Sequence, residues 1–195
     1  RYRNGIESPD GVLGHNWELN NTGRLLIQAT SGNLSHLDGN GRIDGYTRQP
    51  DGSYTSPTGF YTRLKVLAGN PQNPAAGAMT VEIINRHGIH YRFEGAAGVT
   101  TLPMTRKTDR NGNAIQFLHE DTAHPERLTK ILDTYGRPIL FLYTGDRLTT
   151  VRDFTGREIV YAQDGNGDLV SARTPIVTGT PNGNDFPQGK TERYA

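Results

Sequence analysis

Three segments of the chain align without a gap over nine positions, and a fixed repeat constrains a fold more than any single motif can. They are Asp109-Arg-Asn-Gly112-Asn-Ala-Ile115-Gln-Phe117, Asp133-Thr-Tyr-Gly136-Arg-Pro-Ile139-Leu-Phe141 and Asp153-Phe-Thr-Gly156-Arg-Glu-Ile159-Val-Tyr161, spaced by 24 and 20 residues. Between them lie Arg127-Leu128-Thr129-Lys130-Ile131-Leu132, Arg147-Leu148-Thr149-Thr150-Val151-Arg152 and, less faithfully, Asp168-Leu169-Val170-Ser171-Ala172-Arg173. The repeating unit is therefore two short runs joined by a turn.

Period decides what the runs are. Ile139, Phe141 and Tyr143 sit at alternate positions, which places them on one face of a pleated strand; Ile115 with Phe117, and Ile159 with Tyr161, repeat the arrangement. Asp-x-x-Gly fits a type I turn, with Asp bonding backbone N–H groups and Gly taking positive φ. Each unit reads as a β-hairpin. The spacing of three from Leu128 to Ile131 and from Leu148 to Val151 breaks strict alternation and points to a bulge or a strong twist. A lone hairpin is marginal in water, so the Ile and aromatic faces are expected to be buried in a continuing sheet. Its open edges call for cover by further repeats of a parent chain or by a partner.

Composition agrees and narrows the function classes. The 195 residues hold 24 glycines, where average usage of about 7% would give about 14. That is a turn-dense chain. Lys and Arg number 21 against 20 Asp and Glu, leaving no global field for nucleic acid or an anionic membrane. The absence of Cys removes disulfides, thiolate metal sites and Cys nucleophiles. The apolar run from Pro138 to Tyr143 is far short of the roughly 20 residues of a spanning helix, so no membrane span is expected. The opening Arg1-Tyr2-Arg3-Asn4-Gly5 and the close at Glu192-Arg193-Tyr194-Ala195 read as an internal piece of a longer protein.

Residues 1–100 are less regular but β-like, with strand-like runs at Trp17–Leu19, Gly23–Gln28, Met79–Ile84 and Ile89–Phe93 and turns at Pro50-Asp51-Gly52 and His87-Gly88. Ala68 to Ala78 reads as a surface loop, as does the Pro-bearing stretch from Thr174 to Lys190. The chain thus divides into a lead-in (1–100), repeat hairpins (101–175) and a Pro/Gly-rich loop leading to a further strand (176–195).

Asp-x-x-Gly-Arg, then alternating Ile and aromatic, then Arg-Leu-Thr-x-Val, resembles the YD repeat of the RHS family, whose members include bacterial polymorphic toxins, Tc-toxin C components and the teneurins. Gly11-Val-Leu-Gly14-His-Asn-Trp17-Glu-Leu19 resembles the segment that precedes the first repeats there. The Tyr-Asp pair that names the repeat is absent; its slot, seven residues after each turn Gly, holds His119-Glu120, Tyr143-Thr144 and Gln163-Asp164. The resemblance implies an all-β fold of serial hairpins forming part of a spiral β-sheet shell, in a secreted or cell-surface protein. It implies a segment that encapsulates or scaffolds a cargo domain, is not an enzyme and carries no cofactor. The partner is then the remainder of the same chain. An adhesive, glycan-binding fibre is the alternative.

Asp164-Gly-Asn166-Gly-Asp168, Asp109-Arg-Asn111-Gly-Asn113 and Asp38-Gly-Asn40-Gly-Arg42 carry oxygens at alternate positions, as calcium loops do, but none has the Glu at position 12 within a loop, and hairpin turns are the plainer reading. His87 and His90, three apart, do not share a strand face and make a poor zinc pair. His36, His119 and His124 lie in turn-like segments and read as solvent-facing. Tyr46, Tyr54, Phe60 and Tyr61 could stack on sugar rings or could be core. No nucleophile elbow or phosphate-binding loop is present. The positions that carry the argument are therefore structural: Asp109, Gly112, Ile115, Phe117, Asp133, Gly136, Ile139, Phe141, Tyr143, Asp153, Gly156, Ile159, Tyr161 and Asp164.

Overall fold

The computed structural model describes residues 10–15, 17, 19 and 22–194. The readings of Arg1 to Gly5, Asn16, Glu18 and Ala195 lie outside the described residues. In chain order the strands are β1 (Asp10–Gly11), β2 (Gly14–His15), β3 (Arg24–Gln28), β4 (Asn33–Leu37), β5 (Ile43–Arg48), β6 (Tyr54–Thr55), β7 (Arg63–Ala68), β8 (Met79–Ile84) and β9 (His90–Gly95). Then follow β10 (Thr101–Thr108), β11 (Ala114–Leu118), β12 (Lys130–Leu132), β13 (Pro138–Thr144), β14 (Arg147–Arg152), β15 (Glu158–Gln163), β16 (Leu169–Arg173) and β17 (Thr191–Arg193). The chain is all-β: β1 and β2 form a two-stranded sheet and the other 15 strands one antiparallel sheet. A single turn of 3-10 helix, Pro74–Ala76, is the only helical element among the described residues.

Two compact units emerge. One comprises Asn20–Arg127 with Leu132–Tyr135. Its organising strand is β10, eight residues long. Thr101–Pro103 pair with β3, Met104–Thr108 pair with β9, and Arg106–Thr108 also pair with β11. Thr105 is the extra residue of a bulge, since Met104 faces Phe93 while Arg106 faces Arg92. The added bend there lets one strand serve two ribbons. Alternation fixes the inward face: in β8, Met79, Val81 and Ile83 are buried while Thr80 and Glu82 are not. Leu25, Leu34, Phe93 and Leu102 complete the centre of this core.

The second unit comprises Arg1–Leu19, Leu128–Ile131 and Gly136–Ala195. Here β13 to β17 follow one another as sequential antiparallel neighbours. The irregularity expected between Leu148 and Val151 is a bulge, and β16 carries another. Thr150 faces Leu142 and Leu148 faces Tyr143, so Thr149 is the extra residue of β14; Val170 holds the same place in β16. The core of the unit is Leu13, Leu128, Leu148 and Leu169.

The expected burial of every Ile and aromatic face is corrected. Phe117 is 4% exposed, but Ile115 is 38% and Ile159 36% exposed, with Ile139, Phe141, Tyr143 and Tyr161 half-buried. Burial grades with distance from the loop tip: Ile115 is the second residue of β11, next to the loop, and Phe117, two residues further in, reaches the core. The Leu residues of the Arg-Leu-Thr runs, Leu128 and Leu148, are buried alongside Phe117.

Candidate functional surface

The loops of the repeats share one geometry. Asp109 N–H donates to Asn113 O at 2.9 Å and Gly112 N–H to Asp109 O at 3.1 Å. Asp109 Oδ1 accepts from the N–H groups of Asn111 and Asn113 at 2.8 and 2.9 Å. Asp153 repeats this with Thr155 and Arg157, at 2.9 and 3.0 Å, and Asp164 with Asn166 and Asp168, at 2.9 and 3.0 Å. Asp133 Oδ1 accepts from Tyr135 N–H at 2.9 Å. Gly112, Gly136 and Gly156 take φ of 88°, 76° and 86°, a region open to Gly at no steric cost. One aspartate oxygen thus satisfies two loop donors that the turn would otherwise leave without partners.

The same loop occurs twice in the lead-in, at Asp38 with Asn40 and Arg42, and at Asn85 with His87 and Ile89. Sequence comparison missed the second because Asn replaces Asp and Tyr91 stands where the repeats have Ile. The signal that finds it is Asx-x-x-Gly alone.

This geometry bears on the calcium reading. In each candidate loop the first Asp has one oxygen committed to two backbone donors, and Asp168 pairs with His15 at 3.0 Å. Among the described residues no three His, Asp or Glu side chains gather in a metal-binding cluster.

The slot seven residues after each turn Gly has a common role that the sequence did not reveal. Tyr143 donates its hydroxyl to Leu128 O at 2.7 Å, Gln163 donates Nε2–H to Leu148 O at 3.1 Å, and His119 Nε2 lies 3.3 Å from Met104 O. Every one of these reaches back fifteen residues. Three different side chains make one rung.

The solvent-facing reading of the histidines is corrected at His36. It sits on the inward face of β4, opposite Leu25 and Asp44, with its ring edge-on to Phe93 at 5.3 Å. Burial lowers its pKa, against the opposing pull of Asp44 and Asp38. Asp44 is itself buried and takes Arg42 in a forked contact, 2.6 Å from Nη2 and 3.1 Å from Nε. His90 pairs with Glu82 at 3.1 Å, and His87 accepts from Arg86 Nε–H at 3.0 Å, so the two histidines serve separate contacts.

The four aromatics divide. Tyr46 is core, with its hydroxyl 3.0 Å from Thr62 Oγ1, and Tyr54 donates to Gly32 O at 2.9 Å. Phe60 and Tyr61 face solvent; Tyr61 is 78% exposed, and the Arg42 guanidinium lies over the Phe60 ring at 4.3 Å. No helix among the described residues is long and apolar enough to cross a membrane. The chain matches no protein-family model and no curated protein.

Proposed function

We propose that this chain is a non-catalytic structural segment of a repeat-built β-wall that encapsulates or scaffolds a cargo domain, in a large secreted or cell-surface protein of the RHS/YD-repeat kind. The observation that carries the reading is the fifteen-residue rung, made three times by His119, Tyr143 and Gln163 on successive hairpins. A side chain that changes identity while keeping its bond serves the register of a wall rather than the chemistry of a site. The stapled Asx loops at the hairpin ends support the same conclusion. Electron microscopy of the longest natural chain carrying this sequence tests it: a hollow particle with internal density supports the proposal, and a solid rod or extended fibre overturns it.

The adhesive reading is supported by Phe60 and Tyr61, two neighbouring exposed aromatic rings of the kind that stack on sugars. Glycan-array binding that disappears in Tyr61→Ala would favour it, and an array with no signal would dismiss it.

A further inference from the structure

We infer that Gly11–Trp17 is a recognition segment seated on a built groove of the repeat hairpins, and that the groove holds this segment even when the backbone joining the two is cut. Both partners belong to the same compact unit. The segment is a tight hairpin, and nearly every described residue in it has a separate partner.

Two main-chain oxygens are taken first: Arg147 Nη1–H donates to Gly11 O at 2.7 Å and Leu148 N–H donates to Val12 O at 2.7 Å. That Leu148 N–H adjoins the Thr149 bulge, so β14 spends a donor on the segment that a regular ladder would spend on a neighbouring strand. Leu13 is 4% exposed and joins Leu148 and Leu169 in the unit's core, although it lies in the turn of a hairpin of two-residue strands. Gly14 has φ of 111°, and a Cβ there would stand 2.5 Å from Gly167 O and 2.9 Å from Leu169 N, so no side chain fits. A Cβ on Gly11 would stand 2.5 Å from Trp17 O, which keeps the segment folded on itself. His15 Nδ1 meets Asp168 Oδ1 at 3.0 Å, and the Trp17 ring lies 4.7 Å from that of Tyr194.

The result is a position-by-position requirement: Gly at 11, an apolar anchor at 13, Gly at 14, an aromatic at 17. It is read by the start of β14, the loop between β15 and β16, and the residue after β17. Apolar burial at one anchor, flanked by main-chain hydrogen bonds and close backbone approach, is how proteins bind extended peptides. The occupant here is the chain's own segment, 130 or more residues away from its receptor in sequence.

The test uses the full chain with a protease recognition sequence inserted between Asn20 and Asn21. Trp17 is the only tryptophan, so its emission follows the released piece. After cutting, size-exclusion chromatography at low micromolar concentration is expected to show tryptophan emission co-eluting with the body. A synthetic peptide of residues 10–19 carrying Trp17→Phe, which keeps the aromatic ring but does not contribute tryptophan emission, should displace it, and the same peptide carrying in addition Leu13→Ala or Gly14→Ala should compete about tenfold or more weakly. Emission in the small-peptide fraction, while circular dichroism shows the body still folded, overturns the inference. So does retention that the Leu13→Ala and Gly14→Ala peptides challenge as well as the parent peptide does. Because the altered residues are in the peptide, a variant protein that fails to fold cannot confuse the result.

Discussion

The Tyr143 hydroxyl donates to the main-chain oxygen of Leu128 at 2.7 Å, joining the two arms of one hairpin at the end away from the Asp133–Gly136 turn. Leu128 is buried, so an oxygen there without a donor carries a desolvation cost. Tyr143→Phe keeps the ring and removes the donor. The expected loss is about 1 kcal/mol, or about 2–4 °C in Tm for a chain of this size. Tyr61→Phe, at an exposed ring, should leave Tm within about a degree, since exposed substitutions of this kind fall within about 0.5 kcal/mol. Thermal melts followed by circular dichroism decide it, and equal shifts in the two variants would refute the rung.

Gly156 and Gly45 separate backbone strain from crowding. Neither has an atom within 4 Å of where a Cβ would stand, but Gly156 has φ of 86°, whereas Gly45 lies in β5 without positive φ. Gly156→Ala should cost about 1–2 kcal/mol from the left-handed backbone alone. Gly45→Ala should be neutral or stabilise by a few tenths to about 1 kcal/mol, because it reduces the freedom of the unfolded chain. Urea titration of both reads the contrast.

Much of this was legible because the relevant signals are local. The Asp-x-x-Gly loops, the bulge after Leu148 and the strands at Met79–Ile84 and Ile89–Phe93 follow from period and turn chemistry, which neighbouring residues specify. Strands β4 and β5 were missed, since Asn-Leu-Ser-His-Leu and Ile-Asp-Gly-Tyr-Thr-Arg place polar residues on both faces and His36 and Asp44 on the inward one. The Ala68 to Ala78 stretch, read as a surface loop, tucks in Pro71 and Pro74. The rungs and the docking of Gly11–Trp17 were invisible because they depend on which main-chain oxygens a bulge leaves facing a neighbour. That is settled by tertiary register, not by residue type.

Acid should loosen the hairpin loops. The Asp109 carboxyl is held below its ordinary value of 3.8 by the Asn113 amide and the loop N–H groups, and Asp153 is held well below that value by the Thr155 hydroxyl and Arg157. A carboxyl whose pKa is lower folded than unfolded contributes stability fully above 3.8, and that contribution drains away as pH falls through the folded value. Asn accepts the same loop bonds without titrating. The double variant Asp109→Asn with Asp153→Asn should therefore show a shallower fall in Tm between pH 4 and pH 2 than the parent. Identical slopes would mean the loops do not set the acid limb.

His36 should act in a separate, higher window. Its folded pKa lies below 6.5 because burial in β4 disfavours the charged ring, an effect that Asp44 and Asp38 oppose and Arg42 assists. A histidine with a depressed folded pKa stabilises the protein while neutral, above the unfolded value of 6.5, and that stability is lost as pH falls toward the folded pKa. Protonating the unfolded chain is the favoured event in that range, so stability must slope upward with pH there. His36→Asn retains a polar side chain without the titration, and its stability between pH 7 and pH 5 should be flat where the parent's declines. Urea midpoints at four or five pH values distinguish the cases. A parent curve that is itself flat across this window would show that the His36 ring stays solvated and that its inward place opposite Leu25 and Asp44 does not govern its charge.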